Sequence, residues 1–550
     1  MNQEDDLRAE VQRAAHAIGA PGDFEPVIER PRDPAFGDWA TSAAMVLARV
    51  LKKKPRDIAE SLIARLDMAR AGISSAEIAG PGFINFRLAT DAIAKGLTAL
   101  VGQGERFGRA DVGGLRPVNV EFVSANPTGP LHVGHGRQAA LGDAIASLLE
   151  ATGWVVTREF YYNDAGAQID NLALSVQARV RQLAGRDAEI PEGGYHGEYI
   201  RDIAQRYVEA YPSDQFGEDL DVIRRFAVQE LRKEQDRDLQ AFGVRFDVYF
   251  LESSLYTDGK VEETIQRLKK AGHTYEKDGA MWLRTTDYGD DKDRVVLRSR
   301  EKGGAPTYFV PDVAYHVTKW QRGFTRSINV QGADHHSTVT RVRIGLQALD
   351  MGIPQGYPEY VLHQMVTVMR SGEEVKISKR AGSYVTVRDL VDEVGRDAVR
   401  YFFLMRKVDS QLVFNVDLAR AQSEDNPIYY IQMAHARMSG IFRVGGIDAA
   451  SVSGRDADLS LLELPEEQEL IKALLDFPKL VADAAEALEP HRVASYLHEL
   501  ASKVHLWYHK AHVLNEPPDI TKARLVLVRA SQIVLRNGLS LLGITAPDRM

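Results

Sequence analysis

The clearest alternation of apolar and polar positions lies between residues 117 and 164. In RPVNVEFVSA, Val118, Val120 and Phe122 alternate with polar neighbours, which predicts a β-strand. A turn-rich loop, NPTGPLHVGHGR, follows, and GRQAALGDAIASLLEATG has the apolar spacing of a helix that ends at Gly153. WVVTREFYYND is then a second strand. This succession of strand, glycine-rich loop, helix and strand is typical of a nucleotide-binding α/β unit.

The two ends of the chain have other patterns. Residues 1–112 combine helical segments such as LRAEVQRAAHAIG with a strand in GPGFINFRL, which predicts a small α+β module ending at the glycine-rich GRADVGGLRP. From residue 421 onward, long segments have one apolar face at helical spacing. One such face consists of Val493, Tyr496, Leu497, Leu500, Val504 and Trp507. Residues 421–550 are therefore predicted to form an all-α bundle.

The middle of the chain, residues 113–420, is predicted to be one α/β domain. Residues from about 180 to 245 are polar and mostly helical in pattern, which indicates an insertion. Strand-like pieces at 295–298 (VVLR) and 328–331 (INVQ) indicate that the α/β domain then resumes. The predicted fold class is α/β: a Rossmann-like parallel-sheet domain with an N-terminal α+β module and a C-terminal all-α helical bundle.

Composition narrows the class of protein. The 550 residues carry 68 Lys and Arg against 77 Asp and Glu, a formal charge of −9. This mild acidity does not exclude nucleic-acid binding, because binding needs only a local basic surface. The absence of cysteine excludes disulfides, thiolate zinc sites and a cysteine nucleophile. The acidic start, MNQEDDLRAEVQ, does not resemble a signal peptide, and we expect a soluble cytoplasmic protein without membrane contact.

Candidate chemistry first appears in the loop HVGHGR, where strand passes to helix. Gly134 allows a flat group to approach the backbone, and the helix N-terminus offers N–H groups to phosphate oxygens. His132 and His135 can donate hydrogen bonds to charge that develops on a phosphate. Taken alone, the motif is better explained as a structural histidine pair or a His-x-x-His metal site, because short motifs recur by chance.

A second candidate loop, VKISKRAG at 375–382, lies about 240 residues downstream. Lys376 and Lys379, with Ser378 between them, suit a polyphosphate whose charge shifts during a reaction. Taken alone, the loop is better explained as a solvated basic turn. The presence of both loops, in this order, in an α/β chain of this length favours a joint function.

Together the loops resemble the HIGH and KMSKS signatures of class I aminoacyl-tRNA synthetases. Further segments resemble arginyl-tRNA synthetases over essentially the whole chain. They include FGDWATSAAMVLA, EFVSANPTGPLHVGHGR, YYNDAGAQI, GDDKDRV, TYFVPDVAYH, GADHH, NPIYYIQMAHAR and GLSLLGITAPDRM. Many members of this family lack the second lysine of the KMSKS loop, whereas this chain has Lys379. This resemblance implies that the central domain, residues 113–420, is the catalytic domain.

The resemblance implies ATP-dependent attachment of L-arginine to tRNA(Arg), with Mg²⁺ accompanying ATP, no dedicated protein metal site, and a monomer. His132 and His135 would stabilise the α-phosphoryl transition state, and Lys376 and Lys379 the departing diphosphate. The implied ATP-binding residues are Pro130, His132, Gly134, His135, Gly332, Asp334, His335, Lys376, Ser378 and Lys379. An alternative for GADHH is a metal-dependent phosphoesterase, but companion acidic motifs are not evident.

Arginine recognition needs carboxylates that meet a planar guanidinium. The positions implied by the family pattern are Ser124, Asn126, Glu252, Tyr308 and Asp312. Tyr308 and Asp312 are four apart and share a face if their segment is helical. Glu252 has an alternative explanation as a surface or helix-capping acid.

The flanking modules are expected to contact tRNA. On the first bundle helix, Tyr429, Tyr430, Gln432 and Arg437 are candidates for anticodon recognition, because aromatic and arginine side chains stack on unpaired bases. Tyr429 also fits a core position. In the N-terminal module the resemblance implies contact with the tRNA elbow, for which Phe36, Trp39 and Phe83 are candidates, although all three fit core positions too.

Three rival functions are weaker. A class I synthetase for glutamate would need basic side chains where this chain has Glu252 and Asp312, and one for cysteine commonly relies on zinc. A non-catalytic tRNA-binding paralogue is expected to have lost signature residues, yet both loops are intact. A nucleotidylyltransferase would not need the helical C-terminal domain.

Overall fold

The computed structural model describes residues 3–31, 33–375 and 385–550. Its N-terminal module is a four-stranded antiparallel sheet of order β1-β2-β4-β3, covered by helices. The elements are α1 (Gln3–Ala17), β1 (Ile28–Glu29), β2 (Trp39–Thr41), α2 (Ala43–Leu51), α3 (Pro55–Ile63), β3 (Ile73–Ala79), β4 (Phe83–Leu88) and α4 (Thr90–Gln103). The predicted strand in GPGFINFRL is β4, in which Ile84 and Phe86 are fully buried.

The central domain is built on a five-stranded parallel sheet. Its elements begin with β5 (Pro117–Glu121), α5 (Val133–Ala151), β6 (Val155–Tyr162), α6 (Ala167–Leu183), α7 (Glu198–Ala210), α8 (Leu220–Ala241), β7 (Val248–Leu251), α9 (Glu252–Thr257), α10 (Lys260–Lys270), β8 (Thr274–Lys277), β9 (Ala280–Leu283), β10 (Arg294–Leu297) and α11 (Phe309–Gln321). They continue with β11 (Ser327–Gly332), α12 (His336–Gln347), β12 (Glu359–His363), β13 (Val366–Arg370), β14 (Glu373–Glu374), α13 (Val387–Val394), α14 (Arg396–Leu404), β15 (Leu412–Asn415) and α15 (Val416–Arg420).

The order of the parallel sheet is β12-β11-β5-β6-β7. The central strand β5 buries Val118 and Val120, and α5 is buried on nearly all sides because it lies between the sheet and the C-terminal bundle. Close packing also explains Gly142 on α5, where a Cβ would lie 2.1 Å from the Phe122 ring. The predicted strand–loop–helix–strand unit is therefore β5, α5 and β6, and the predicted fold class is confirmed.

The two strand-like pieces of the resumed domain lie in different sheets. The piece VVLR is a strand, as predicted, but this strand, β10, pairs antiparallel with β9 in a separate three-stranded sheet, β10-β9-β8. The piece INVQ does lie in the parallel sheet, as β11. Both pieces have the apolar period of a strand, and that period carries no information about the pairing partner.

The predicted insertion forms a helical subdomain between β6 and β7. Helices α6, α7 and α8 enclose a core of their own. The first of these helices begins at Ala167, earlier than the start near residue 180 that the sequence pattern indicates. The fully buried core residues are Leu172, Ala173, Val176, Val180, Ile200, Ile203, Ala204, Tyr207, Ile223, Ala227 and Leu231. We refer to residues 167–241 as the helical insertion.

The C-terminal domain is a helical bundle. It consists of α16 (Pro427–Gly445), α17 (Pro465–Leu475), α18 (Phe477–Ala487), α19 (His491–Lys510) and α20 (Pro518–Leu541). The predicted apolar face of α19 is buried, apart from the partly exposed Tyr496. Helix α4 belongs to this packing unit, since Leu97 and Leu100 lie in the bundle core, whereas the core of the N-terminal module extends only to Leu88.

The N-terminal module contacts the bundle through ion pairs. Arg30 pairs with Asp476, and the Nζ of Lys472 lies 2.7 Å from a carboxylate oxygen of Asp38. Arg30 also lies over the Trp39 ring, whose side chain is buried; of the three elbow candidates only Phe36 is well exposed. In the described part of the chain, no helix is long and apolar enough to cross a membrane.

Candidate active site

The predicted site residues meet where the parallel strands end. Strand β5 ends at Glu121 and its neighbour β11 ends at Gly332, so the loops that follow them leave the same edge of the sheet. Carboxyl edges of parallel sheets are the usual ligand sites of such folds. The loop after β5 runs from residue 122 to His132, which is the N-cap of α5.

The histidine pair of the first signature loop is fixed by the helix N-terminus. The His132 Nδ1 accepts hydrogen bonds from the backbone N–H groups of Gly134 (3.1 Å) and His135 (3.4 Å), and the His135 Nδ1 accepts from the His132 N–H (3.4 Å). The rings stack with centroids 3.7 Å apart. Because each Nδ1 is an acceptor, each neutral ring carries its proton on Nε2 and offers a donor.

The glycine of the loop is required for this arrangement. A Cβ on residue 134 would lie 2.9 Å from the His132 ring, closer than side-chain carbons approach. The stacked pair would have to separate to admit any other residue. The sequence motif therefore encodes a specific local geometry as well as two imidazoles.

A cavity of about 550 Å³ brings together nine of the predicted residues. They are Ser124, Asn126, Pro130, His132, Gly134, His135, Gly332, Asp334 and His335. Ten residues that the sequence did not indicate also line it, among them Thr128, Gln138, Gln168, Tyr199, His363 and Met365. The described residues predicted to bind ATP thus line the same cavity as Ser124 and Asn126, which are predicted to bind the substrate arginine.

A chain of hydrogen bonds links this cavity to Glu252. The Ser124 hydroxyl donates to the Glu121 Oε1 (2.9 Å) and accepts from the Tyr161 N–H (3.2 Å). The Tyr161 hydroxyl in turn donates to the Glu252 Oε2 (2.8 Å). Glu252 is buried and stands at the start of α9, where its carboxylate is held by Tyr161 rather than facing solvent.

Asp312 lies close to two other carboxylates. Burial raises the pKa of the Asp312 carboxyl to about 7, and the charges of Glu252 and Glu121 contribute to the rise. Burial also raises the pKa of Glu252, against a lowering contribution from the hydrogen bond of Tyr161. Tyr308 caps the helix that carries Asp312 and is exposed, with its carbonyl accepting from the Asp312 N–H at 3.5 Å.

Glu121 differs from the other two carboxylates because it has a buried cation. The fully buried Lys319 donates to the Glu121 Oε2 (2.6 Å) and to the Asn329 Oδ1 (3.1 Å). In the part of the chain that the structure describes, no Lys, Arg or His forms an ion pair with Asp312 or Glu252. One buried and one partly buried carboxylate that no described cation pairs with are a site for a positively charged group.

Family comparisons agree with this geometry. Three family models match in chain order: the arginyl tRNA synthetase N terminal domain over residues 5–88, the catalytic domain of class I (R) tRNA synthetases over 97–438, and the DALR anticodon binding domain over 431–550. The catalytic model alone covers more than half of the chain. The chain belongs to the arginyl-tRNA synthetase family.

Relatives match over nearly their whole length. An arginine–tRNA ligase from Geobacter metallireducens is 58% identical over 535 residues, which cover 95% of each chain. One from Herminiimonas arsenicoxydans is 53% identical, covering 98% of each chain. Among solved structures, the Thermus thermophilus arginyl-tRNA synthetase superposes with a TM-score of 0.78 over 100% of both chains at 24% identity, which supports the fold. The predicted family and class I assignment are confirmed.

The second synthetase signature falls outside the described residues. Lys376, Ser378 and Lys379 all lie in 376–384, and the structure describes only what flanks this segment. After it, Thr386 pairs in a backbone bridge with His132, and the Val387 N–H donates to the Leu131 carbonyl (2.9 Å). At Thr386 and Val387 the chain therefore lies beside the histidine pair.

The four predicted anticodon residues lie on α16, mostly in internal contacts. The Gln432 amide donates to the Asp397 Oδ2 (3.0 Å) and to a backbone carbonyl, and Arg437 bonds the His505 Nδ1 (2.7 Å). The Tyr430 ring packs 4.3 Å from the His505 ring. Tyr429 is partly buried beside Gln432 in a separate cleft. These contacts explain the residues structurally, and tRNA binding by them stays a prediction.

Sequence reasoning missed Glu121, Lys319 and Tyr161. A signal for Lys319 exists, because it lies seven residues after Asp312 in a largely apolar helix and so occupies the same helical face. A lysine on a buried face needs a carboxylate partner. Only the parallel pairing of β5 with β11, however, shows that this partner is Glu121.

Proposed function

We propose that this chain attaches L-arginine to tRNA(Arg) at the expense of ATP. In the first step the carboxylate of arginine attacks the α-phosphorus of ATP, which forms arginyl-adenylate and releases diphosphate. In the second step a ribose hydroxyl at the 3′ end of the tRNA takes the arginyl group, and AMP leaves. The observation that carries the proposal is the pair of the buried Glu252 and the partly buried Asp312, for which the described residues supply no cation and which hydrogen bonds through Tyr161 and Ser124 link to the cavity of the signature histidines.

The histidine pair serves the phosphoryl step in this proposal. The Nε2–H donors of His132 and His135 stabilise negative charge on the α-phosphoryl group as it becomes five-coordinate, and their Nδ1 bonds to the backbone keep them oriented. Lys376 and Lys379 stabilise the leaving diphosphate. Gly332, Asp334 and His335 are assigned to nucleotide binding, since they line the same cavity as the histidines.

The choice of amino acid rests on charge and shape. A guanidinium offers paired N–H donors to carboxylates, whereas the compact ammonium of lysine leaves oxygens unsatisfied. Sites that read polar groups in this way reach roughly 10⁴–10⁵ in discrimination without proofreading. Asn126 and Ser124, on the loop after β5, are assigned to the α-amino end of arginine.

The bound tRNA is proposed to take part in activation. If the competent arrangement of the catalytic loops is scarce without tRNA, tRNA binding raises its population and hence the rate. The N-terminal module is assigned to the elbow of the tRNA and the bundle to its anticodon.

We place Mg²⁺ on the phosphates of ATP, since within the described ranges no three carboxylate or imidazole side chains converge as ligands. A cytoplasmic monomer completes the proposal.

Arginine-dependent exchange of diphosphate into ATP tests the proposal directly. We expect strong exchange with arginine, ATP, Mg²⁺ and tRNA(Arg), little with lysine at millimolar concentration, and little with arginine when tRNA is omitted. Exchange with another amino acid in place of arginine would overturn the proposal. Vigorous exchange without tRNA would remove only the proposed role of tRNA in activation.

A further inference from the structure

The loop after β5 has a strained backbone, which needs surrounding contacts to keep its conformation. Val123 and Ser124 adopt φ values of 67° and 42°, in the left-handed region that L-residues rarely occupy. For a β-branched residue such as Val123 this conformation is particularly unfavourable. Strained backbone persists at functional sites only where surrounding contacts enforce it. The contacts that enforce this loop are therefore functional candidates.

All three helices of the helical insertion contribute one side chain each to this loop. From α8, the Gln235 Nε2 donates to the carbonyl oxygens of Asn126 (3.1 Å) and Gly129 (2.9 Å). From α7, the Tyr199 hydroxyl donates to the Thr128 carbonyl (2.8 Å). From α6, the Gln168 Oε1 accepts from the Asn126 side-chain amide (2.7 Å).

These contacts hold the loop on a rigid support. The insertion has its own apolar core, and Gln235 is fully buried where α8 faces the loop. A buried amide that satisfies two carbonyl oxygens of one loop fixes the separation of those oxygens as well as their position. Asn126 is held at both its backbone and its side chain, and it is the residue assigned to the amino end of arginine.

We propose that Gln235 and Tyr199 are positioning residues for arginine activation, and that the helical insertion acts as a clamp on the loop that carries Asn126. The inference rests on the proposed function for the identity of the amino acid. It adds a specific role for a subdomain that has its own apolar core. Loss of the clamp displaces Asn126 while the histidine pair, which is held by α5, keeps its place.

Two tyrosines on α7 provide a matched pair of variants. Tyr199→Phe removes the hydroxyl that bonds the loop, and Tyr207→Phe removes a hydroxyl that donates to the Asp214 Oδ2 (2.6 Å) inside the insertion. We expect Tyr199→Phe to raise the arginine KM in tRNA-dependent diphosphate exchange by roughly 3–10-fold, the usual effect of one hydrogen bond. The ATP KM should change much less. Tyr207→Phe should lower the melting temperature and leave both KM values unchanged.

Gln235 allows a test by charge. In Gln235→Glu, a carboxylate replaces the donor and faces two carbonyl oxygens, so we expect a larger rise in arginine KM than for Tyr199→Phe. Burial raises the pKa of such a carboxyl, and its protonated form can donate one hydrogen bond. The ratio of variant to wild-type kcat/KM for arginine should therefore recover as the pH is lowered. A variant damaged only in folding would show no such recovery.

The outcomes separate this inference from the proposed function. If wild type does not activate arginine, the proposed function fails and the variants are not informative about arginine. If wild type activates arginine and Tyr199→Phe matches Tyr207→Phe in every kinetic constant, the clamp is overturned. Equal increases in the arginine and ATP KM values, without pH-dependent recovery of Gln235→Glu, would likewise overturn it and assign these residues to folding alone.

Discussion

The guanidinium of Arg400 donates from Nη2 to the Asp143 Oδ2 at 2.6 Å, and this ion pair joins α14 to α5, the helix that begins at the histidine pair. Arg400 is fully buried, and its remaining donors bond the carbonyl oxygens of Leu542 (2.8 Å) and Phe242 (3.3 Å). A single cation thus connects α5 with the end of α20 and with Phe242, the residue that follows the helical insertion. The packing is close, since a Cβ on Gly543 would lie 2.3 Å from the guanidinium.

We predict that Arg400→Met destabilises the protein strongly. It leaves the Asp143 Oδ2 and two backbone carbonyl groups without their buried donor, and breaking a buried pair typically costs about 3–5 kcal/mol. The Asp143 Oδ1 keeps its bond from Arg158 (3.4 Å), so the loss should lie at the lower end of that range. The melting temperature by calorimetry should fall clearly. As a control, Arg388→Met removes a surface pair with Asp392 and should change the melting temperature little. Equal shifts for the two variants would show that Arg400 is not the structural link.

We predict that His135→Ala lowers the rate of adenylate formation. Its Nε2–H donor meets charge that is fully developed only in the transition state, and removal of one such donor typically costs roughly 10²–10³ in kcat. The KM for arginine should change little. His16→Ala, at the exposed end of α1, serves as the control and should retain wild-type kinetics. An unchanged kcat in His135→Ala would exclude that imidazole from the phosphoryl step.

We predict that Asp312→Asn raises the arginine KM at least tenfold. The amide is nearly isosteric but uncharged, and it can no longer accept paired N–H bonds as a carboxylate does. Binding of ATP should change much less, which equilibrium titration can measure. Asp258→Asn, on the exposed end of the neighbouring helix α9, is the matched control. Wild-type charging by Asp312→Asn would move guanidinium recognition to Glu252.

We predict that arginine binding weakens as the pH falls below 7. The pKa of Asp312 in the free protein is raised to about 7 by burial and by the charges of Glu252 and Glu121, whereas a bound guanidinium favours the ionised form. Binding below pH 7 therefore releases a proton, and the arginine Kd should rise about tenfold for each pH unit of further acidification. Calorimetry in two buffers of different ionisation enthalpy measures this proton, and Asp312→Asn should not release it.

The same pKa has a consequence for stability. Because the folded protein holds the Asp312 proton up to about pH 7, this group reduces stability progressively as the pH rises from its ordinary pKa to 7. Arginine should reverse that loss by pairing with the carboxylate. We expect a larger rise of melting temperature with saturating arginine at pH 8 than at pH 6. An equal rise at both values would contradict the coupling.

The sequence alone determined the features that depend on neighbouring residues. The alternation of Val118, Val120 and Phe122 predicted β5. The position of HVGHGR between that strand and an apolar helical segment predicted that its two histidines lie at the start of a helix. Both are local because backbone periodicity and capping are settled within a few residues. The nine predicted residues that line one cavity come from two distant segments, and the family resemblance, not a local pattern, implied that they share a site.

Only the tertiary structure decided which distant groups meet. Lys319 and Glu121 are 198 positions apart, Arg400 and Asp143 are 257 apart, and Gln235 reaches Gly129 over 106 positions. It also placed VVLR in a separate antiparallel sheet. The amino-acid sequence indicates that a buried lysine needs a carboxylate partner, but it does not show which carboxylate that is. That choice follows from strand order and helix packing, since charges pair in space and not along the sequence.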